Sequence, residues 1–239
     1  MSDSEKIRSV AIEFARRNKK RFAKEVIANG GFAKTDDPVS LFMAGSPGAG
    51  KTETAKRLIE QFKGDRFGIL HIDPDEYRTL FSAYNGSNSS LFQEAVSIIA
   101  ESVHDIAAHG NPGYNFIFDG TLANLEKARD NIRRSLRKKR KVELVYVYQD
   151  PLLAWNFVVE RERKDGRSIP RERFVEQYFA ARENVNQLKQ EFDTAIQVSL
   201  IVKAYNGKDL RYEQNIANVD GYVSERYDRD SLKSAIKSV

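Results

Sequence analysis

Gly45, Ser46, Pro47, Gly48, Ala49, Gly50, Lys51 and Thr52 are spaced as G-x-x-x-x-G-K-[ST]. Small residues let successive backbone N–H groups turn into one concavity, and a helix starting at its end adds positive partial charge. Lys51 is placed to reach the β- and γ-phosphates of a nucleoside triphosphate, and the Thr52 hydroxyl to ligate Mg²⁺. An apolar run precedes the loop and helical spacing follows it, which is the context a P-loop requires.

Two further apolar runs end in carboxylates. One leads into Asp73, Pro74 and Asp75, the other into Asp119, Gly120 and Thr121. In an open α/β sheet such strand ends face the ligand, and a carboxylate there can accept a proton from an attacking hydroxyl or hold a metal. The alternative is a plain helix cap. Asp75 is the expected base, Asp119 a metal or substrate ligand, and Asp73 either a substrate contact or a cap. Arg161, Arg163 and Arg167 stand in a dense charged segment broken by Gly166. They either close over the phosphates or pair with carboxylates three and four residues away. No Asn/Thr-Lys-x-Asp follows a later strand, so guanine selection is unsupported.

These residues need a scaffold of short strands and longer helices. Strands are expected at 39–44, 67–72, 115–118, 142–148 and 198–202, each rich in β-branched or aromatic residues. Ala55, Leu58, Ile59 and Phe62 give a helix stopping at Gly64, and Phe92, Val96, Ile99, Val103 and Ile106 another ending at Gly110. Asp150 and Pro151 start a further one. The fold class is α/β: a P-loop kinase-like parallel sheet of about five strands flanked by helices, spanning residues 38–239. Residues 1–37 form an N-terminal helical extension whose apolar stripe is Val10, Phe14, Phe22, Val26 and Ile27. That stripe either packs on the following domain or docks a partner. The segment 83–90 reads as a low-complexity mobile loop, and Leu232, Ala235 and Ile236 close a last helix.

Composition narrows the chemistry. The chain has 239 residues, of which 41% are hydrophobic and 31% charged, with no cysteine and three histidines. That excludes a disulfide framework, a thiolate zinc site and a thiol nucleophile. No apolar stretch suits a membrane span or a signal peptide, so a cytoplasmic protein is expected. The net charge of +5 is local, because seven basic residues lie in the nine from 133 to 141 and the remaining chain is slightly acidic. This run reads as the end of a helix, where cations are favourable, or as a site for phosphate-bearing partners. On balance nucleic acid is not the expected partner.

The ordered set Gly-x-Pro-Gly-x-Gly-Lys-Thr, Ile72-Asp73-Pro74-Asp75, Gly113-Tyr114-Asn115 leading to Asp119-Gly120-Thr121, and the arginines before Ile169-Pro170 resembles the zeta toxins, P-loop kinases of bacterial toxin–antitoxin systems. The resemblance implies ATP and Mg²⁺ as cofactors, phosphorylation of a sugar hydroxyl of UDP-N-acetylglucosamine or a related nucleotide-sugar, and a small antitoxin protein as partner. It assigns Asp75 as base, Lys51 and Thr52 to phosphate and metal, Asp119 to the place of a family glutamate, and Thr121 and Glu101 to substrate contacts. Arg161 or Arg163, together with Arg167, match the phosphate clamp. Where the family has Gly-x-Arg after Gly-Thr, this chain has Leu122 and Ala123. The alternatives are a P-loop kinase for another hydroxyl acceptor (a dinucleotide, a drug or a polynucleotide end) and a nucleic-acid-binding regulator with a P-loop switch.

Overall fold

The computed structural model describes residues 2–62, 68–110, 112–166, 168–206 and 208–236. Gly64, Phe67 and Arg167, expected at a helix end, a strand start and the phosphate clamp, lie outside them. The elements run α1 (Asp3–Asn29), β1 (Val39–Ala44), α2 (Lys51–Gln61), β2 (Leu70–Ile72), α3 (Gln93–Ala108), β3 (Phe116–Phe118), α4 (Leu125–Arg137), β4 (Lys141–Tyr148), α5 (Pro151–Asp165), α6 (Arg171–Phe192), β5 (Gln197–Lys203), β6 (Asp209–Glu213) and α7 (Arg229–Ala235). Among the described residues the sheet has six strands in the order β2-β3-β1-β4-β5-β6. Five are parallel, and β6 joins the edge antiparallel to β5. The sheet is thus one strand wider than expected. β6 escapes a pattern search because it is a short edge strand whose alternating apolar residues, Leu210 and Tyr212, are only two and both exposed.

Alternation along the strands divides the core. Phe42, Ala44, Phe116, Leu144 and Leu200 face α1, α3 and α6, whereas Met43, Ile117, Val145 and Ile201 face α2. The single helix α1 contributes Ala11, Ala15, Phe22, Ala23 and Ile27 to the larger cluster. Of the expected stripe, Phe22 and Ile27 are buried and Phe14 and Val26 pack partly buried against the cluster, whereas Val10 is 66% exposed and the alanines beside it complete the seam. Phe62 is likewise exposed, forming the cap of α2 rather than part of its buried face.

The expected loop 83–90 and the basic run 133–141 both take definite forms. Segment 83–90 is a hydrogen-bonded turn: Asn85 Oδ1 accepts from the N–H groups of Ser87 and Asn88, and Asn88 donates to the Ala83 carbonyl. It abuts the end of α5, where a Cβ on Gly166, at φ +68°, would lie 2.8 Å from Ser87 Cα. The basic run closes α4, as its helix-end reading has it, and four of its cations are paired or bonded within the fold. Arg133 pairs with Glu191, Arg134 with Glu101 and Asp105, and Lys141 with Asp37. Arg140 is buried, donating to Ser40 Oγ and the carbonyls of Val39 and Tyr114 while covering the Phe116 ring. It ties β4 to β1 and to the lead-in of β3.

His104 is fully buried on α3, its ring set edge-on to Phe116 and Phe118, and neither nitrogen has a hydrogen-bond partner among the described residues. Burial, reinforced by the Arg134 charge, pushes its pKa down to about 3. Unfolded imidazole titrates near 6.5, so between those values the unfolded chain binds more protons and stability falls as the pH is lowered. His104→Leu should therefore flatten the dependence of Tm on pH below about 6.5 and raise Tm at pH 5. Thermal unfolding across that range checks this; an unchanged slope would contradict it.

Candidate active site at the carboxyl ends of β1, β2 and β3

The order of strands puts β1 between β3 and β4, so the chain diverges to both sides after β1, and ligands in such sheets bind at that point. Gly45–Thr52 occupies it. Gly45, Gly48 and Gly50 have φ of +139°, +74° and +83°. A Cβ would lie 2.4 Å from the Val147 carbonyl oxygen at Gly45 and 2.1 Å from that of Ala154 at Gly48, so β4 and α5 press on the loop where only glycine fits. Gly50 begins α2, and the backbone of Lys51 and Thr52 forms its first turn.

The Lys51 ammonium donates to the carbonyls of Gly45 and Ser46 at 3.0 and 2.7 Å. Burial lowers its pKa, the nearby charge of Asp119 offsetting this only in part. The Thr52 hydroxyl donates to Asp119 Oδ2 at 2.7 Å. Burial would raise the Asp119 carboxyl, but His71, Lys51 and Thr52 together hold it below its ordinary value. His71 Nε2 stands 3.6 Å from the same oxygen, a charge contact rather than a hydrogen bond. Although burial opposes it, the carboxylates of Asp119, Asp73 and Glu76 raise the imidazole above its ordinary value.

Asp73 and Asp75 differ in role. Asp73 Oδ1 accepts the backbone N–H of Asp75 at 2.8 Å, realising the cap reading, while the Asp75 side chain caps no N–H of the turn 76–80. Burial first, then the charges of Asp119 and Asp75, push the Asp73 carboxyl up to about 6. Asp75 instead meets arginines: Arg78 Nη1 lies 2.7 Å from Oδ1, and Arg161 Nη2 donates to Oδ2 at 3.0 Å. The fields of Asp75, Arg161 and Asp119 all reach Lys51. Arg163 is exposed and, two residues on from Arg161, points roughly 200° further round α5.

Glu101 is not joined to this cluster by any contact among the described residues. Its oxygens are taken by Lys127 and Arg134 of α4 at 2.9 and 2.8 Å, so a substrate would have to compete with a helix-to-helix pairing. Thr121 stitches the segment after β3 to the loop, its carbonyl accepting the Gly45 N–H at 3.3 Å. Leu122 follows at φ +58°, with its carbonyl held by Asn184 Nδ2 at 2.9 Å. Leu122 thus holds a left-handed backbone in the segment that leaves β3.

His71, Arg78, Gln93 and Lys203 belong to the surroundings of the site, yet the sequence did not single them out. His71 was findable, since alternation along β2 puts it on the side of Asp73. Lys203 ends β5, buried, with Nζ bonded to Asp209 and its stem over Gly50. It lines a cleft of about 560 Å³ with Tyr148, Asp150, Asn156, Tyr205 and Arg226. Ligand atoms of His71, Asp73 and Asp119 all lie within 4.8 Å of one another. With the Thr52 hydroxyl, the carboxylate oxygens make a hard donor set that suits Mg²⁺.

A family model described as Zeta toxin matches residues 25–217. No curated protein matches the chain. Among solved structures, the PezAT chromosomal toxin–antitoxin system of Streptococcus pneumoniae is similar with a TM-score of 0.54 and 16% identity, over 100% of this chain and 89% of that one. The native AvrRxo1-ORF1:-ORF2 complex gives 0.61 and 17%, over 92% and 72%. The same complex with ATP gives 0.59 and 17%, over 86% of this chain and 65% of that one. At these identities the likeness is one of fold. Among the described residues no helix is long and apolar enough to cross a membrane.

The electrostatic coupling of the cluster has a direct consequence. Asp119→Asn removes a negative charge from beside Asp73 and His71, so both should titrate at lower pH: Asp73 below about 6, and His71 closer to its ordinary value. Carboxyl and imidazole NMR titrations without divalent metal check this, and an unmoved Asp73 would contradict the coupling.

Proposed function

We propose that this chain, which belongs to the zeta toxin family, transfers the γ-phosphoryl group of ATP to a hydroxyl of UDP-N-acetylglucosamine or a related nucleotide-sugar. The observation that carries the reading is the convergence of Lys51, Thr52, Asp119 and Asp75 at the carboxyl ends of three adjacent strands. A triphosphate cradle and a carboxylate beside it are the two halves of a hydroxyl kinase.

In this reading the P-loop N–H groups and the α2 N-terminus hold the phosphates. Lys51 leaves the carbonyls of Gly45 and Ser46 for the β- and γ-phosphates. Thr52 and Asp119 hold Mg²⁺, which when bound neutralises charge on the phosphate oxygens. The cleft beside Lys203 and Tyr205 takes the nucleoside end of ATP. The acceptor oxygen forms its bond to phosphorus as the bond from phosphorus to the bridging oxygen of ADP breaks, and Asp75 takes the hydroxyl proton. In a loose transfer that proton moves late, so placement matters more than basicity. Arg161, on the exposed side of Asp75, moves onto the phosphates. Asp73 shapes the turn that carries Asp75, and Thr121 and Glu101 are the proposed contacts to the sugar nucleotide.

The solved AvrRxo1-ORF1:-ORF2 complex with ATP and the PezAT toxin–antitoxin system agree with a nucleotide and an inhibitory protein partner for this fold. A small antitoxin covering the cleft is the partner proposed here.

Lys51→Ala should abolish transfer and leave the fold intact, because the ammonium serves ligand phosphates rather than the core. Label transfer from γ-labelled ATP onto a panel of UDP-sugars, run beside thermal unfolding, checks this. Retained transfer by a folded Lys51→Ala protein would overturn the P-loop assignment. Transfer only to acceptors that are not nucleotide-sugars would overturn the substrate class.

A further inference from the structure

Arg78 lies in the turn directly after Asp75, yet it is only 5% exposed. A guanidinium sequestered there is costly unless it is held by partners that need it. Its partners are Asp75, whose Oδ1 stands 2.7 Å from Nη1, and Gln93, the first residue of α3, whose Oε1 accepts from Nη2 at 3.1 Å. Arg161 grips the other Asp75 oxygen, but its side chain is 43% exposed. Among the contacts described, the carboxylate meets a buried cation braced against a helix at Oδ1 and a more exposed cation at Oδ2.

We propose that Arg78, braced by Gln93, is the positioning residue of the base: it anchors Asp75 Oδ1 and so aims Oδ2 at the acceptor hydroxyl once Arg161 has moved to the phosphates. The assignment rests on the kinase reading above, in which Asp75 accepts the proton. Arg78 exchanges no atoms in the reaction. The proton goes from the hydroxyl to Oδ2, while the new oxygen–phosphorus bond replaces the one to ADP.

The chemistry of the two partners suits that task. A reacting group must be held to within roughly 0.5 Å by side chains whose own rotamers are locked, and a planar guanidinium with an ion pair at Nη1 and a hydrogen bond at Nη2 is oriented in a way an ammonium cannot be. Gln93 is neutral, so it orients Arg78 without drawing its charge away from Asp75. An i,i+3 ion pair serving stability alone would contribute as well at the surface, where such pairs ordinarily lie.

The test measures ADP release from ATP with UDP-N-acetylglucosamine as acceptor, using the full chain and the variants Arg78→Met, Arg78→Lys, Gln93→Met and Asp75→Asn. Binding of a fluorescent ATP analogue is followed in parallel. Arg78→Met should lower kcat by about 10²-fold, with nucleotide affinity within about threefold of the parent. Arg78→Lys should recover to within about tenfold, and Gln93→Met should lose about fivefold. Arg78→Met should add nothing to Asp75→Asn, since both remove one function. If Asp75→Asn is inactive but Arg78→Met turns over like the parent, the positioning role is overturned and the kinase reading stands. If Asp75→Asn is fully active, or the parent releases no ADP, the kinase reading itself fails and the positioning role with it. Should Arg78→Met not fold, Gln93→Met decides: unchanged kcat there overturns the proposal.

Discussion

One row of strand register sets the geometry of the site. Phe42 of β1 pairs with Phe118 of β3, which pairs with Ile72 of β2. The residues after Phe118 and Ile72 are Asp119 and Asp73, so two carboxylates leave the sheet side by side, joined by the bond from the Asp119 N–H to the Ile72 carbonyl at 2.9 Å. β1 runs on to Ala44 and turns into the P-loop, which places Lys51 and Thr52 over that pair of acids. Because a one-residue slip would turn Phe42 and Met43 to each other's faces, their buried alternation holds the strand against it, and with it the charges.

The charges then organise themselves by burial. Asp119 is surrounded by groups that favour its ionised form, while burial first, and then the charges of Asp119 and Asp75, raise Asp73 to about 6. Asp75 lies one turn outward, among arginines. Adjacent acids two residues apart thus receive different tasks: one is built into the turn and the other is presented from it. The turn is held in place by α3 through Gln93, and the end of α5 is held by the 85–88 turn against Gly166, so the two sides of Asp75 rest on different parts of the scaffold.

How much of this could be read from the chain depended on whether a residue announced itself by pattern. β1 is an apolar run broken only by Ser40 and was legible to its ends; β2 and β3 stop where expected, at Ile72 and Phe118 before the acids, but begin later than expected, at Leu70 and Phe116. Lys51, Thr52, Asp75 and Asp119 were legible because a motif or a strand end marks them. Arg78 and Gln93 were not, since a short 3-10 turn has no period and Arg78 looks in sequence like any surface arginine. Glu101 was drawn in by family likeness, while its position on α3 gives it to α4. Leu122 shows the opposite case. Its bulky side chain argues against a left-handed backbone at about 1–2 kcal/mol, yet the packing and Asn184 impose one, and such local conflicts gather where a loop serves a ligand.

The central claim is that of the two acids leaving β2, Asp75 accepts the proton and Asp73 builds the turn. Asp73→Asn can still accept the Asp75 N–H through its amide oxygen, whereas Asp75→Asn keeps size and reach and loses only basicity. The decisive measurement is kcat for these two variants with saturating ATP and the best acceptor of the panel. A loss of about 10²-fold or more for Asp75→Asn, and a clearly smaller one for Asp73→Asn, is the result the account requires. A larger loss for Asp73→Asn would contradict it and move the base one register position inward, into the acid cluster beside Asp119.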